Sequence, residues 1–424
     1  MLDIHMIREE PERIAGALRT KNVIVNMDKI LTLDQQYREL SKDTDDLKHL
    51  RNTVTQDIND KKKKGFDAQD EILKMRDVSS RIKENDQRLL DLQQELRDLL
   101  ITLPNIPHET SPVGKNEKDN VEIRHWGSLR EFTFKPKNHL ELGEALKLFD
   151  FQRAAKISGS GFPLYTGKGA KLERALINFM LDLHTQEHGY TEILPPFLVN
   201  SNSSTGTGQL PKMADDMYYL DQDDLWLIPT AEVPVTNIHR DEILNRDDLP
   251  VKYTAYSGCF RREAGSYGKD TRGFQRLHQF NKVEMVQFCH PDESYSVLEI
   301  LVGHAETVLK KLELPYRVVE LCTADLSFAA AKCYDLELWA PGEEKWLEVS
   351  SCSNFGDFQA RRSNIRFKDE QGKNHFVHTL NGSGVATPRL LIAILENYQN
   401  DDGSVTIPEI LIPYTGFDII RRDS

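Results

Sequence analysis

A stretch of basic side chains between Cys259 and Met285 is the part of this sequence whose residue types most need a chemical explanation. The whole chain is acidic, with 67 Asp and Glu against 54 Lys and Arg and a formal net charge of −13 at pH 7. The two ends of the stretch predict strands, and its glycine-rich middle predicts a long loop. Glu263 and Glu284 lie just inside this predicted hairpin. Its basic residues are Arg261, Arg262, Lys269, Arg272, Arg276, His278 and Lys282.

Several common sources of chemistry are absent from the sequence. It contains no phosphate-binding P-loop, no His-Glu-x-x-His zinc motif, no Gly-x-Ser-x-Gly motif and no kinase signature. The 5 cysteines form no Cys-x-x-Cys pair, so neither a zinc ribbon nor a disulfide framework is indicated. No apolar run approaches the roughly 20 residues of a membrane helix, and the first residues contain no signal-peptide run. We therefore expect a cytoplasmic protein that contacts no membrane.

Residues 28–103 predict a long helical hairpin. They contain no proline and only one glycine, Gly65, and their apolar residues repeat with coiled-coil spacing on either side of it. Two antiparallel helices of roughly 35 residues each would form an arm of about 50 Å. The alternative is an ordinary helical bundle or a dimerisation coil. However, no other segment of the sequence has an apolar face suited to cover the seam. The tip, near 61–66, carries four lysines that are either a solvated turn or a phosphate contact; they are Lys61, Lys62, Lys63 and Lys64.

The remainder of the chain predicts a different architecture. After a polar, proline-containing linker, helices are expected over 140–156 and 169–188. Strands are expected over 191–199, 217–221, 225–228, 252–260, 277–289, 316–321, 334–339 and 345–351. Many strands with few helices between them favour an antiparallel sheet flanked by helices, an α+β fold. We therefore divide the chain into an N-terminal domain over 1–105 and a second domain over 106–424.

The basic hairpin resembles the second signature motif of class II aminoacyl-tRNA synthetases, in the form found in seryl-tRNA synthetases. The resemblance extends along nearly the whole chain and includes the N-terminal helical arm. Residues 161–199 are similar to the first class II motif, which builds a dimer interface, and residues 383–397 to the third. Further stretches that resemble seryl-specific ones are "GTGQLPK" (206–212), "LIPTAEVP" (227–234), "LEVSSCSNFGDFQARR" (347–362) and "HTLNGSG" (378–384).

One position departs from the family's pattern. Pro388 stands directly before Arg389, where the third motif leads us to expect glycine. Because proline is tolerated in the first turn of a helix, we expect a local backbone variant without loss of function.

The resemblance implies a reaction in two steps. The carboxylate of serine attacks the α-phosphate of ATP, which gives seryl-adenylate and pyrophosphate. A terminal ribose hydroxyl of the tRNA then takes the seryl group. The first nucleophile is already ionised, so this step needs positioning and charge neutralisation rather than a general base.

By the same resemblance, Arg261 bridges the serine carboxylate and the α-phosphate, since a planar guanidinium suits two oxygens at once. Glu263, expected on the same strand face as Arg261, meets the adenine, Phe280 stacks on it, and the loop between Gly265 and Gly273 folds over the nucleotide. Arg389 contacts the γ-phosphate. The remaining ATP-binding residues are Arg262, Glu348, Val349, Ser350 and Ser351. Of these, Glu348 and Ser351 also hold Mg²⁺, which prefers oxygen ligands.

The serine pocket implied by the resemblance combines carboxylates with hydroxyl and amide groups, which suit an ammonium and a hydroxyl. Its residues are Thr230, Ala231, Glu232, Arg261, Glu284, Asn381 and Ser383. A pocket that hydrogen-bonds the substrate hydroxyl should reject alanine strongly. Which carboxylate takes the amine and which takes the hydroxyl stays open.

The expected partners are serine, ATP and tRNA(Ser), with selenocysteine tRNA as a further substrate. The arm is expected to contact the long variable arm of tRNA held across the two subunits of a homodimer. Three alternatives stay open: a synthetase-like paralogue that charges another acceptor, a catalytically inactive RNA-binding protein, and a coiled-coil scaffold with a fused domain, which would leave the polar site residues unexplained. The first usually lacks the arm, and the second should have lost some of Arg261, Glu263, Glu348 or Arg389.

Overall fold

The computed structural model describes residues 1–264 and 272–422, which form two compact units. One unit contains Met1–Arg19 and Val23–Pro104, and the other contains Thr20–Asn22 and Asn105–Ser424. Gly265, Gly268 and Lys269 of the predicted loop lie outside the described residues. None of the helices within the described ranges has the length and apolarity that crossing a membrane requires.

The smaller unit consists of helices and includes the predicted two-helix hairpin. Its third and fourth helices have 37 and 33 residues, which agrees with the predicted arm. The helices are α1 (Ile4–Glu9), α2 (Pro11–Thr20), α3 (Met27–Lys63) and α4 (Gln69–Ile101).

Helices α3 and α4 meet along one apolar face, as their spacing predicts. Leu33 and Ile58 of α3 are buried, as are Ile82 and Leu92 of α4, while most other positions are exposed. At the base of α3, the buried Asp34 carboxylate accepts two hydrogen bonds from Arg8, at 2.8 and 2.9 Å. This bidentate pair ties α1 to α3.

The larger unit combines helices with several sheets. Its helices are α5 (His139–Leu146), α6 (Phe151–Ser158), α7 (Gly167–Gln186), α8 (Ser201–Thr207), α9 (Glu232–Thr236), α10 (Ser294–Lys311), α11 (Phe358–Ser363), α12 (Thr387–Asn397) and α13 (Ile412–Thr415). Its strands are β1 (Val121–Trp126), β2 (Thr191–Glu192), β3 (Leu198–Asn200), β4 (Tyr219–Leu220), β5 (Leu225–Leu227), β6 (Ile243–Leu244), β7 (Val251–Phe260), β8 (Gln279–Cys289), β9 (Tyr316–Glu320), β10 (Lys332–Ala340), β11 (Lys345–Asn354), β12 (Arg366–Lys368), β13 (Asn374–Phe376), β14 (His378–Ala386), β15 (Val405–Thr406) and β16 (Ile419–Ile420).

The main sheet has eight strands in the order β1-β9-β10-β11-β14-β8-β7-β2. All neighbouring pairs are antiparallel except β2 with β7, so the predicted α+β class is confirmed. Helices α7, α10 and α12 pack against this sheet, and the largest hydrophobic core lies between them.

Two predicted elements have different bounds. The single helix expected over 140–156 is two helices, because Lys147 adopts a left-handed conformation that ends α5 and Asp150 caps the start of α6. The strand expected over 191–199 is likewise two short strands, β2 and β3, which pair with different partners.

Candidate active site

The strands β7 and β8 place the basic hairpin on the main sheet. They pair in register from Val251↔Phe288 to Phe260↔Gln279. Beyond the last pair, the Arg261 amide donates to the His278 carbonyl at 2.9 Å, which extends the ladder by one residue. The Arg261 guanidinium lies 5.0 Å from the centre of the Phe280 ring. Stacking on an aromatic face holds the cation without consuming its hydrogen-bond donors.

A cavity of about 450 Å³ opens beside this hairpin and lies within the size range of small-molecule sites. Strands β8, β11 and β14 contribute its floor, and α12 contributes Arg389. Side chains that are distant in sequence therefore meet here. The predicted site residues that line it are Thr230, Glu232, Arg261, Glu263, Phe280, Glu348, Val349, Ser351, Asn381, Ser383 and Arg389.

Part of the cavity wall is acidic and buried. Burial, and then the charge of nearby Glu284, raises the pKa of the Glu232 carboxyl to about 7. The Gln359 amide donates to Glu232 at 2.6 Å. Glu284 accepts from the Thr230 hydroxyl at 2.7 Å and from the Asn381 amide at 2.6 Å. These hydrogen bonds fix the orientation of the Glu232 and Glu284 carboxyl groups without a ligand.

Arg389 also lines the cavity, together with Gln275 and Glu348. Its guanidinium donates to the Glu348 carbonyl at 2.7 Å and to the Gln275 carbonyl at 3.4 Å, and it lies 3.3 Å from the Glu348 carboxylate. Pro388 lies in the first turn of α12, where its missing amide hydrogen costs no helical hydrogen bond. The chain therefore directs Arg389 into the cavity with proline, instead of glycine, before it.

Glu263 lies beyond the strand that the sequence predicted for it. Strand β7 ends at Phe260, so the expectation that Arg261 and Glu263 share a strand face is wrong. Glu263 instead adopts a positive φ of 52°. Its carboxylate accepts from Arg276 at 3.0 Å, and it still lines the cavity. Because a non-glycine residue rarely adopts this conformation, the local backbone is constrained here.

The residues predicted to hold Mg²⁺ have donor atoms that suit the ion. The half-exposed Glu348 carboxylate and the Ser351 hydroxyl both face the cavity. Across the ladder, Asp335 faces Ser351, and loss of hydration followed by the Glu348 charge raises the pKa of Asp335 well above its usual range. The Glu348 carboxylate and the Ser351 hydroxyl are oxygen donors of the kind that a hard cation prefers.

Comparison with known proteins identifies the family. Residues 1–107 match the seryl-tRNA synthetase N-terminal domain, and residues 218–398 match the tRNA synthetase class II core domain (G, H, P, S and T). The chain is 55% identical over 423 residues to a serine–tRNA ligase of Carboxydothermus hydrogenoformans, with 100% of both chains covered. The chain belongs to the seryl-tRNA synthetase family.

Other relatives agree with this assignment. A serine–tRNA ligase of Geotalea uraniireducens is 57% identical over 417 residues, which covers 98% of this chain and 99% of that protein. The crystal structure of seryl-tRNA synthetase from Pyrococcus horikoshii complexed with ATP has a TM-score of 0.94, with 42% identity and 100% of both chains covered. The predicted family and fold are therefore confirmed.

Some residues predicted for the site of this seryl-tRNA synthetase family member lie outside the cavity lining. Glu284 is buried, and its carboxylate accepts hydrogen bonds from Thr230 and Asn381, which both line the cavity. Ala231 packs in a hydrophobic core beside the pocket. The buried Ser350 donates to the Ser383 carbonyl at 2.6 Å. The exposed Arg262 lies over the Tyr218 ring, at 5.5 Å from its centre.

Three residues that shape the site were not predicted from the sequence. Lys282 lines the cavity and forms an ion pair with Glu284. Gln359 joins Glu232, the Thr207 carbonyl and the Thr379 hydroxyl. Asp335 faces Ser351 across the β10–β11 ladder. For Lys282 a signal existed, because it alternates with Phe280 and Glu284 on one strand. The other two depend on pairings that the sequence alone does not reveal.

The four tip lysines lie at the end of α3 and beyond it. Lys61, Lys62 and Lys63 form its last turn, and Lys64 caps it. Cations in this position are favourable beside the helix C-terminus. Lys61 also pairs with Glu71 of α4, and all four lysines are exposed.

Proposed function

We propose that this chain is a serine–tRNA ligase that activates serine with ATP and transfers it to the 3′ end of tRNA(Ser) in the cytoplasm. The observation that carries the proposal is that Thr230 and Glu232 line the same cavity as Arg261 and Arg389. Such a cavity offers acidic and hydroxyl groups to an amino acid and cations to a triphosphate. We extend the substrate range to selenocysteine tRNA.

In the activation step, Arg261 holds the serine carboxylate and the α-phosphate together. Its guanidinium already has a fixed direction, because it stacks on Phe280 and lies 3.4 Å from the Pro229 carbonyl. Preorganised cations of this kind lower the barrier by stabilising the charge that develops on the phosphate oxygens. Arg389 does the same for the γ-phosphate.

The adenine end is formed by Phe280 and Glu263. The Phe280 ring provides a stacking surface, and the Glu263 carboxylate accepts from an amino group. Arg262 supports this end through its backbone, since its amide donates to the Asp216 carbonyl at 2.8 Å. Val349 and Ser350 contribute as parts of β11, on which Glu348 and Ser351 are mounted.

The serine pocket uses Thr230, Glu232, Asn381 and Ser383 as contacts. Ala231 lies between Thr230 and Glu232 in the chain. Glu284 orients Thr230 and Asn381 by accepting a hydrogen bond from each. The Glu232 carboxyl has a raised pKa before serine binds, and an ammonium beside it would favour its charged form. A pocket with this many fixed polar groups leaves them unpaired when the ligand lacks a hydroxyl, which disfavours alanine.

Glu348 and Ser351 would hold Mg²⁺, with Asp335 next to them. When bound, the ion neutralises negative charge on the phosphates of ATP. The protein's contribution is to hold Glu348 and Ser351 on β11, next to Asp335 of β10. It also keeps Arg389 3.3 Å from the Glu348 carboxylate.

The N-terminal unit would bind tRNA. The hairpin of α3 and α4 supplies a long, mostly exposed surface, and Lys61, Lys62, Lys63 and Lys64 add cations for backbone phosphates. We further propose a homodimer in which the tRNA is bound across the subunits, with residues 161–199 at the interface.

Transfer of labelled serine to a bacterial tRNA(Ser) transcript tests this function. We expect serylation of the transcript and loss of serylation when the long variable arm of the tRNA is deleted. Serine-dependent ATP turnover without serylation of any tRNA would contradict the proposal, because it would favour a paralogue with another acceptor.

A further inference from the structure

A buried cluster behind the nucleotide end of the cavity is not used by the proposed mechanism. It consists of His139 at the start of α5, Glu396 near the end of α12, and Glu343 in the turn between β10 and β11. Within the part of the chain that the structure describes, these three residues form the group of His, Cys, Asp and Glu side chains whose geometry could hold a metal ion.

The hydrogen bonds of Glu396 indicate a junction between protein segments. One carboxylate oxygen accepts from the His139 amide at 2.9 Å and lies 3.3 Å from the His139 ring nitrogen Nδ1. The other oxygen accepts from the Gly342 and Glu343 amides at 2.8 and 3.2 Å. Both oxygens of this fully buried carboxylate are therefore satisfied by protein donors.

The cluster reaches the segment that follows the basic loop. The second ring nitrogen of His139 accepts from the Phe274 amide at 3.4 Å. Gly273 lies so close that a Cβ atom built on it would be 2.3 Å from the same nitrogen, and its φ is +60°. A side chain at this position would push His139 out of the cluster and would also strain the backbone.

Gln275 connects this cluster to Arg389. Its side-chain amide donates to Glu343 at 3.0 Å and accepts from Lys345 at 2.7 Å, so both ends of the amide are bonded to the β10–β11 hairpin. The backbone carbonyl of Gln275 accepts a hydrogen bond from the Arg389 guanidinium at 3.4 Å. The side chain thus fixes a backbone carbonyl that faces the cation of the cavity.

We propose that Glu396, His139, Glu343 and Gln275 are positioning residues that hold Arg389 and the segment after the basic loop in place for the triphosphate of ATP. Helix α12 carries Arg389 in its first turn and Glu396 in its last. The first turn therefore bonds the segment directly, and the last turn reaches the same segment through His139 and Glu343. The inference rests on the proposed function, since it assigns the cluster to the ATP end of that site.

The test is ATP–pyrophosphate exchange with Gln275→Met and Glu343→Gln. Methionine keeps the length of glutamine without its hydrogen bonds, and Glu343→Gln removes the charge that faces Lys345. We expect the KM for ATP to rise about tenfold in each, as for the loss of a hydrogen bond to a charged group, and the KM for serine to stay within about twofold. The matched control is Glu344→Gln, at the exposed neighbouring position, which should resemble the wild type.

A double variant tests whether Gln275 acts through Arg389. Because residues that act as a unit are not additive, Gln275→Met should weaken ATP use much less when Arg389→Lys is already present. Equal losses in kcat and in both KM values would indicate general damage to the fold and would overturn the inference, as would unchanged KM values for ATP. A stoichiometric transition metal in the purified protein would also overturn it.

Calorimetric titration with ATP separates this inference from the proposed function. It reports ATP binding by the same variants without turnover. A wild-type protein that binds ATP but exchanges no pyrophosphate would refute the proposed function, and the variants would still decide the role of the cluster. Unaltered ATP binding in both Gln275→Met and Glu343→Gln would refute the role of the cluster alone.

Discussion

Helix α3 and strand β8 differ sharply in how much of their sequence the fold constrains. Of the 37 residues of α3, five are buried: Ile30, Leu33, Asp34, Thr44 and Ile58. In β8, by contrast, a run of eight residues, Lys282–Cys289, is buried, and it includes the charged pair of Lys282 and Glu284. Most positions of α3 can therefore change without disturbing the packing, whereas nearly every change in β8 alters a packed neighbour.

Charged side chains on the helical hairpin and in the cavity should differ in how strongly a single substitution impairs function. Charges on the helical hairpin are exposed and numerous, so each contributes little and salt screens it. Charged side chains of the cavity are held by specific partners, as in the pairs Glu263–Arg276 and Lys282–Glu284. We therefore expect single substitutions in the cavity to be severe and single substitutions on the arm to be mild.

The largest effect is expected for Arg261→Ala. Without this guanidinium, the serine carboxylate and the α-phosphate lose the group that holds both, and serine-dependent pyrophosphate exchange should fall about 10³-fold. The matched control is Arg246→Ala, because Arg246 forms an exposed ion pair with Glu370 and should tolerate the change. Equal activities of the two variants would contradict the assignment of Arg261.

Glu232→Gln should have the next largest effect. The pKa of Glu232 is raised to about 7, so its charged fraction grows as pH rises through that value and attracts the serine ammonium. Hence kcat/KM for serine should increase between about pH 6 and 8 in the wild type, and Glu232→Gln should lower it about 10²-fold and abolish this increase. A variant that keeps the wild-type pH profile would show that another group titrates.

A third effect concerns stability in acid. Burial lowers the pKa of His184 to about 4, below its ordinary value of 6.5, so the unfolded chain takes up a proton that the folded protein does not. The stability from the neutral His184 is thus fully present above about pH 6.5 and is lost as pH falls toward 4. In urea denaturation, His184→Gln should lose about 1–2 kcal/mol less than the wild type between pH 7 and pH 5. An equal loss of unfolding free energy in the wild type and in His184→Gln would contradict this role of His184.

The smallest effect is expected on the arm. The triple substitution of Lys62, Lys63 and Lys64 by alanine should raise the KM for tRNA(Ser) about fivefold and leave pyrophosphate exchange unchanged. The salt dependence is the internal control, because the difference from the wild type should shrink as KCl increases. A difference that persists at high salt would indicate a structural role for these lysines.

The same contrast explains what the sequence could predict. The helical hairpin follows from local spacing, since the partners of α3 and α4 are set by a repeat that one segment displays by itself. Of the 15 serine-site and ATP-site residues that the family resemblance implies, 11 line the cavity. Both predictions needed no knowledge of how distant segments pair.

The parts that were missed depend on such pairing. Gln359, for example, reaches Glu232 across 127 positions in the sequence and the Thr207 carbonyl across 152. No spacing rule indicates which of two strand neighbours lines a cavity and which lies behind it. The positive φ of Glu263 is likewise set by tertiary contacts, such as the bond from the Ala264 amide to Asp216 at 2.9 Å.

Specific activation of serine is tested most directly by ATP–pyrophosphate exchange. The wild-type chain is assayed with serine, alanine, threonine and glycine. We predict rapid exchange with serine. Exchange with alanine should be lower by about 10⁴-fold, because alanine would leave the polar groups of the pocket unpaired. Comparable exchange with alanine, or none with any of the four amino acids, would contradict it.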